Sequence, residues 1–301
     1  MIQVAAAGLS FYDTWPLHSF SNFYQYKTCS NVGYECSGKV VAVGSSVWNY
    51  EEGDEVCTIL EGGGGCAEFI VVPCNHAMRI PSGVSLVAAA ALPHASCLTT
   101  YILSVLTNIA PGKIILIHGD AGGFGIMAIQ YFKYVGCQVI VAAETEEYLQ
   151  LYKMLGAEVC INYNKEDFCE RVKTSREKAG VNVILDVSHR DHFQKNLDCL
   201  AVGGTLISLG LKSNVHRIDI DLSILMKKDI NVIGVDLRRQ SFMAIESILS
   251  DAVGKLWPLI EAGHIKPIIG KVFNFSHATE AYRALKEQSI QGKILLVAQY
   301  D

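Results

Sequence analysis

The sequence predicts an α/β protein: a doubly wound parallel sheet inserted in a second, β-rich domain. Three observations carry this. Short apolar runs alternate with amphipathic stretches through the middle of the chain, an apolar run leads directly into a glycine-rich turn, and both ends read as β structure.

The opening segment MIQVAAAGLSFYD lacks a charged leader and reads as a strand rather than a signal peptide. Tyr34 to Val43 (YECSGKVVAV) and Ala67 to Val72 (AEFIVV) are rich in β-branched and aromatic residues and bounded by Gly, Asn and Pro. Between them, Glu61 to Gly65 (EGGGG) forms a turn or loop. The texture changes after Pro93. Apolar runs at Ile114 to Gly119, Gln138 to Ala143, Val181 to Val187, Gly204 to Gly210 and Ile230 to Val235 read as strands. Ile126 to Val135 and Tyr148 to Gly156 read as amphipathic helices between them. Near the end, GKVFNF and GKILLVAQY read as strands flanking a helix over Ala278 to Gln288. The expected division is 1–92 with 264–301 as the β-bearing domain and 93–263 as the parallel-sheet domain.

The 301 residues are half hydrophobic, with a formal net charge of −5 and scattered basic residues, which argues against nucleic acid or an anionic membrane as partner. No apolar run reaches the length of about 18 residues needed for a membrane span, SLVAAAAL being closed by Pro93. Ten cysteines lie singly, without metal-ligand spacing, and read as reduced thiols of a cytoplasmic protein.

The strongest local signal is KIILIHGDAGGFGIMAIQYF, Lys113 to Phe132. A strand runs into Gly119, Gly122, Gly123, Phe124 and Gly125, then a helix begins. Such a turn lets backbone N–H groups approach a pyrophosphate at a helix N-terminus. The spacing G-x-x-x-G-x-G departs from the strict dinucleotide fingerprint, and a methyltransferase would also place a glycine turn here. The corner after the next strand reads VIVAAETEEY, with Glu144, Glu146 and Glu147 and no basic residue. Glu144 lies 144 − 125 = 19 residues after Gly125, where a carboxylate typically bonds the ribose 2′-hydroxyl of NAD. Equally, acids in a first helical turn simply complement the helix dipole.

Several further segments extend the pattern: GYECSGKVVAVG (Gly33 to Gly44), GDEVCTILEGGGGCAEFIVVP (Gly53 to Pro73), LGAEVCINYNKEDF (Leu155 to Phe168), VILD (Val183 to Asp186) and GKILLV (Gly292 to Val297). With HGDAGGFG they make nearly the whole chain resemble the zeta-crystallin-like quinone oxidoreductases of the medium-chain dehydrogenase/reductase superfamily, plant members most of all. The resemblance implies a GroES-like β domain, incomplete here at its N-terminus, carrying a Rossmann domain. It also implies NADPH (NADH possible) reducing quinones or enones, and a homodimer.

Where zinc-dependent relatives carry a histidine, this chain has Tyr34, and no close cysteine quartet exists, so no metal is expected. The family's active-site asparagine aligns with Ser10, followed by a matching Asp13. Ser10 and Tyr34 are the candidate donors to a reduced carbonyl oxygen, although Tyr34 also reads as core packing. The family's pocket tyrosine falls loosely near Asn22 to Tyr24. Cofactor contacts implied by the resemblance fall on the glycine turn, Thr145 and Tyr148 (serine and lysine in NADPH-binding relatives), Tyr163 and Arg238. The chain departs at Asp120, which places a charge near the pyrophosphate, and after Ser188, where His189 and Arg190 replace two glycines beside the nicotinamide. His118 reads as packing and Cys97 as an inert thiol. These departures keep a second reading open: a weak or inactive paralogue acting as a nucleotide-binding or interaction protein.

Overall fold

The structure is a computed structural model, and it describes residues 1–10, 13, 32–60, 62–106, 109–119, 122–175, 180–187, 192–209 and 219–298. The chain divides into two compact units. One comprises Met1–Thr100, Ala121–Phe124 and Gln240–Asp301; the other comprises Tyr101–Asp120 and Gly125–Arg239.

The first unit is built on a seven-stranded sheet. Its strands are β1 (Ile2–Leu9), β2 (Glu35–Val40), β3 (Glu55–Ile59), β4 (Phe69–Ile70), β5 (Ala77–Arg79), β12 (Ile269–Asn274) and β13 (Lys293–Val297), ordered β12-β13-β1-β2-β3-β5 with β4 also on β1. The pairs are antiparallel except β12 with β13. Ile2, Val4, Ala7, Cys36, Val40, Val56 and Ile70 pack into one buried cluster on this sheet. The expected strand over Ala67 to Val72 shrinks to the two residues of β4, hemmed by the glycine run and by Pro73, which has no N–H to continue a ladder.

A 3₁₀ turn, Ala88–Ala91, leads into helix α1 (Pro93–Val105). Pro93 therefore opens a helix rather than closing the apolar run, because its missing N–H costs nothing in a first turn. The helical stretch Ala88–Val105 is long and apolar enough by length and composition to cross a membrane, and 67% of it is buried inside the protein, as in a core helix.

The second unit holds the parallel sheet: β6 (Ile114–His118), β7 (Gln138–Ala143), β8 (Val159–Asn162), β9 (Val181–Asp186), β10 (Leu200–Ser208) and β11 (Asn231–Gly234). Their order is β11-β10-β9-β6-β7-β8, with every pair parallel. Numbered from β6, this is the 3-2-1-4-5-6 order of dinucleotide-binding sheets, whose ligands sit beyond the carboxyl ends of the strands where the order reverses. That reversal lies between β6 and β9. Helices α2 (Gly123–Tyr134), α3 (Glu146–Leu155), α4 (Phe168–Ser175), α5 (Phe193–Cys199) and α6 (Ser223–Lys228) intervene. Helices α7 (Phe242–Glu261) and α8 (Ala278–Glu287) belong to the first unit.

Candidate functional site

In the parallel-sheet unit, β6 delivers the chain into the glycine turn. Gly119 N–H donates to the Ala142 carbonyl at 2.7 Å. A Cβ on Gly119 would stand 2.9 Å from both Ala143 Cβ and Tyr152 Cε2, so packing alone demands glycine there. Helix α2 then starts at Gly123 with no acidic residue in its first turn, which suits an anion. A Cβ on Gly123 would meet its nearest neighbours, Ala91 O and Ala95 Cβ, at an ordinary 3.6 Å. Protein packing therefore does not explain that glycine. The Phe124 side chain is buried, leaving only its backbone for a ligand. Asp120, Ser188, His189, Arg190 and the Asn22 to Tyr24 segment lie outside the described residues.

At the corner after β7, where the sequence signals conflict, Thr145 is the N-cap of α3, its Oγ1 accepting the Tyr148 N–H at 3.4 Å. Glu146 and Glu147 occupy the first turn, as the dipole favours. Tyr148 stacks on Tyr152 with ring centroids 6.4 Å apart. The Glu144 carbonyl accepts from Asn164 Nδ2 at 2.9 Å, while its side chain is exposed. The stretch VIVAAETEEY contains no cation, yet the fold brings one to it. Lys165 Nζ sits 2.7 Å from Glu146 Oε1, which also accepts from Asn162 Nδ2 at 2.7 Å. Lys165 first and Asn162 second hold the Glu146 carboxyl below its usual value. No local pattern marks Lys165; it arrives because β8 lies beside β7.

Four buried or half-buried groups connect β6 to β9 at the carboxyl ends of the strands. Asn196 Nδ2 donates to Asp186 Oδ2 at 2.9 Å, so Asn196 Oδ1 is the acceptor facing His118 Nε2 at 2.7 Å. Nε2 therefore carries the hydrogen that faces Asn196, and Nδ1 meets the Tyr163 hydroxyl. His118, expected to be packing, is fully buried and is also the hinge of a polar chain. Tyr163 is additionally stacked on His192, with centroids 5.0 Å apart.

In the β-sheet unit, the Ser10 N–H and Oγ–H both donate to Asp13 Oδ2, at 2.8 and 3.1 Å, and the Gly33 N–H donates to Asp13 Oδ1 at 2.7 Å. Desolvation raises the Asp13 carboxyl above its ordinary value, against the pull of those N–H groups and Lys293. Tyr34 opens the β2 segment, its carbonyl accepting the Leu60 N–H at 2.7 Å. Two groups missed in the sequence join this neighbourhood: the Cys66 thiol and the Tyr282 hydroxyl, 4.0 Å apart. Burial pushes Cys66 up to about 12, and Tyr282 is raised by burial, then by Asp13 and Cys66. A chain separation of 216 residues hides this pairing from any local pattern.

Beside Tyr34, Glu35 is committed elsewhere. Its Oε1 pairs with Lys293 Nζ, and its Oε2 accepts the His94 N–H at 2.8 Å, at the start of α1. Arg238 grips the Asp236 carboxylate with two nitrogens, at 3.0 and 2.9 Å. The nine described cysteines are free thiols, and burial raises Cys97. Among the described residues no three His, Cys, Asp or Glu side chains converge as metal ligands. A tyrosine at position 34 and a salt-bridged Glu35 do not fit a zinc donor set.

Residues 1–82 match the alcohol dehydrogenase GroES-like domain family, and residues 123–251 match the zinc-binding dehydrogenase family. The chain is 31% identical to quinone oxidoreductase-like protein 2 homolog of Nematostella vectensis, across 88% of this chain and 72% of that protein. It is 28% identical to 2-haloacrylate reductase of a Burkholderia species, across 89% and 81% of the two chains. Escherichia coli quinone oxidoreductase complexed with NADPH superposes with a TM-score of 0.86 at 28% identity, covering 98% of this chain and 90% of that one.

Proposed function

The chain belongs to the quinone oxidoreductase group of the medium-chain dehydrogenase/reductase superfamily, and from that premise we propose that it is a zinc-independent, NADPH-dependent oxidoreductase transferring hydride to a quinone or an α,β-unsaturated carbonyl. The observation that carries the reading is the 3-2-1-4-5-6 parallel sheet with a glycine turn opening α2 beside its reversal point. The likeness to an NADPH-bound quinone oxidoreductase and to 2-haloacrylate reductase supports the cofactor and the two acceptor classes.

When bound, NADPH supplies the hydride, and the protein's task is orientation, exclusion of water and handling of one proton. The N–H groups of Gly122, Gly123, Phe124 and Gly125 would hold the pyrophosphate; the corner of Glu144, Thr145 and Tyr148, with Tyr163, would hold the adenosine ribose. Arg238 would contact the cofactor beside its ion pair with Asp236. The parallel-sheet unit serves as the nucleotide domain, and the unit built on the seven-stranded sheet serves as the substrate domain.

Reduction places negative charge on the acceptor oxygen, which Tyr34 and Ser10 stabilise by hydrogen bonding. The Ser10 hydroxyl hydrogen points at Asp13, so Ser10 donates outward when Asp13 carries a proton. The net reaction consumes NADPH, a proton and the acceptor, and releases NADP⁺ and the reduced acceptor. The protein works as a cytoplasmic homodimer, with neither nucleic acid nor membrane as partner.

A titration of the purified protein with NADPH and NADH, followed by nicotinamide fluorescence, tests the reading. Saturable binding is expected. No binding of either nucleotide at millimolar concentration leaves the inactive-paralogue reading in its place.

A further inference from the structure

We propose that Lys165 is the cation that recognises the 2′-phosphate of NADPH in this chain, with Glu146 as the residue that tempers it; the inference rests on the dinucleotide reading above. In a parallel sheet of this order the adenosine ribose lies at the carboxyl end of the second strand, here β7. The position where NADPH-binding relatives carry a lysine holds Tyr148, an aromatic stacked on Tyr152. The charge has to come from elsewhere.

The pairing of β7 with β8 supplies it. The register ends with Ala143 opposite Asn162. Beyond that point, Tyr163 N–H donates to Ala143 O at 3.0 Å, and Asn164 Nδ2 donates to Glu144 O at 2.9 Å. These two bonds clamp the segment after β8 onto the segment after β7. The clamp delivers Lys165 to the first turn of α3, where its ammonium meets Glu146.

The state of Glu146 matters equally. Its Oε1 accepts from both Asn162 and Lys165, so the carboxylate is turned toward β8 instead of being offered to a ribose hydroxyl. The Lys165–Glu146 pair is exposed on both sides, with 66% and 50% of the side chains accessible. Such exposed pairs contribute little. A phosphate monoester carries roughly −1.5 to −2 charges and three strong acceptor oxygens, so it displaces Glu146 from Lys165. The 2′-hydroxyl of NADH cannot, and leaves the pair closed. Lys165 therefore favours NADPH, while Glu146 weakens that preference by competition and by repelling the phosphate.

The test titrates wild type, Lys165→Met and Glu146→Gln with NADPH and NADH, again by nicotinamide fluorescence, with adenosine 2′,5′-bisphosphate as a competitor that needs no turnover. Lys165→Met is expected to weaken NADPH and the bisphosphate about tenfold, with NADH unchanged. Glu146→Gln is expected to strengthen both phosphorylated ligands several-fold and leave NADH unchanged. An unaltered NADPH-to-NADH affinity ratio in Lys165→Met, or equal weakening of both nucleotides, overturns the assignment while the dinucleotide reading stands. A wild type that binds neither nucleotide overturns both.

Discussion

Glu35 and Lys293 close an ion pair across the central strand β1, above Gly8, with both side chains almost wholly buried at 0% and 5% exposure. Gly8 faces Glu35 on β2 and Leu295 on β13, and a Cβ there would lie 2.9 Å from the Glu35 carboxyl carbon. The same carboxylate accepts a backbone N–H from the first turn of α1, that of His94. One buried charge pair thus ties two strands to a helix start.

Removing one partner strands the other in a dry site. Glu35→Gln or Lys293→Met alone is expected to cost about 3–5 kcal/mol in urea unfolding followed by tryptophan fluorescence. The double variant is expected to recover part of that loss. Additive losses would mean that the two charges do not compensate each other.

The polar chain from Asp186 to Tyr163 gives a graded prediction. Asn196→Leu removes the acceptor of His118 and a donor to Asp186, and is expected to cost roughly 2–4 kcal/mol. Tyr163→Phe removes the hydroxyl that meets His118 and is expected to cost about 1 kcal/mol. Equal losses from the two variants would contradict this order of hydrogen bonds.

Gly119 has no room for a side chain, since a Cβ there would stand 2.9 Å from Ala143 and from Tyr152. Gly119→Ala is expected to cost about 1–3 kcal/mol by overpacking, read as a lowered thermal midpoint. An unchanged midpoint would show that Tyr152 yields freely.

Asp13 makes stability depend on pH with a defined sign. Its folded carboxyl titrates above the reference value of 3.8 because it loses hydration, so the folded state holds the proton longer than the unfolded chain does. Stability from this group is complete below 3.8 and is lost as pH rises through the folded value. Asp13→Asn is expected to lack that decline when unfolding free energy is compared across this range. A parallel pH profile in both proteins would contradict the upward shift of the Asp13 carboxyl.

Much of this architecture was legible in the sequence because burial writes itself as periodicity. The apolar runs at Ile114, Gln138 and Val181 became β6, β7 and β9, and the glycine turn fell where a strand meets a helix. The Ser10–Asp13 contact spans three residues and was within reach of local reading. What could not be read depends on distant pairing. Lys165 enters the ribose corner only through the β7–β8 register. Tyr282 meets Cys66 only because the C-terminal helix folds onto the first sheet's unit. Pro93 misled for a different reason, since proline stops a helix from inside but starts one comfortably.

Turnover bears on the proposed activity without any intermediate step: purified protein, NADPH and naphthoquinone, followed by the loss of nicotinamide absorbance. Quinone-dependent oxidation of NADPH is expected, falling substantially in Tyr34→Phe and Ser10→Ala while NADPH binding persists. NADPH that binds yet is not oxidised in the presence of quinones or enones would contradict the proposed hydride transfer.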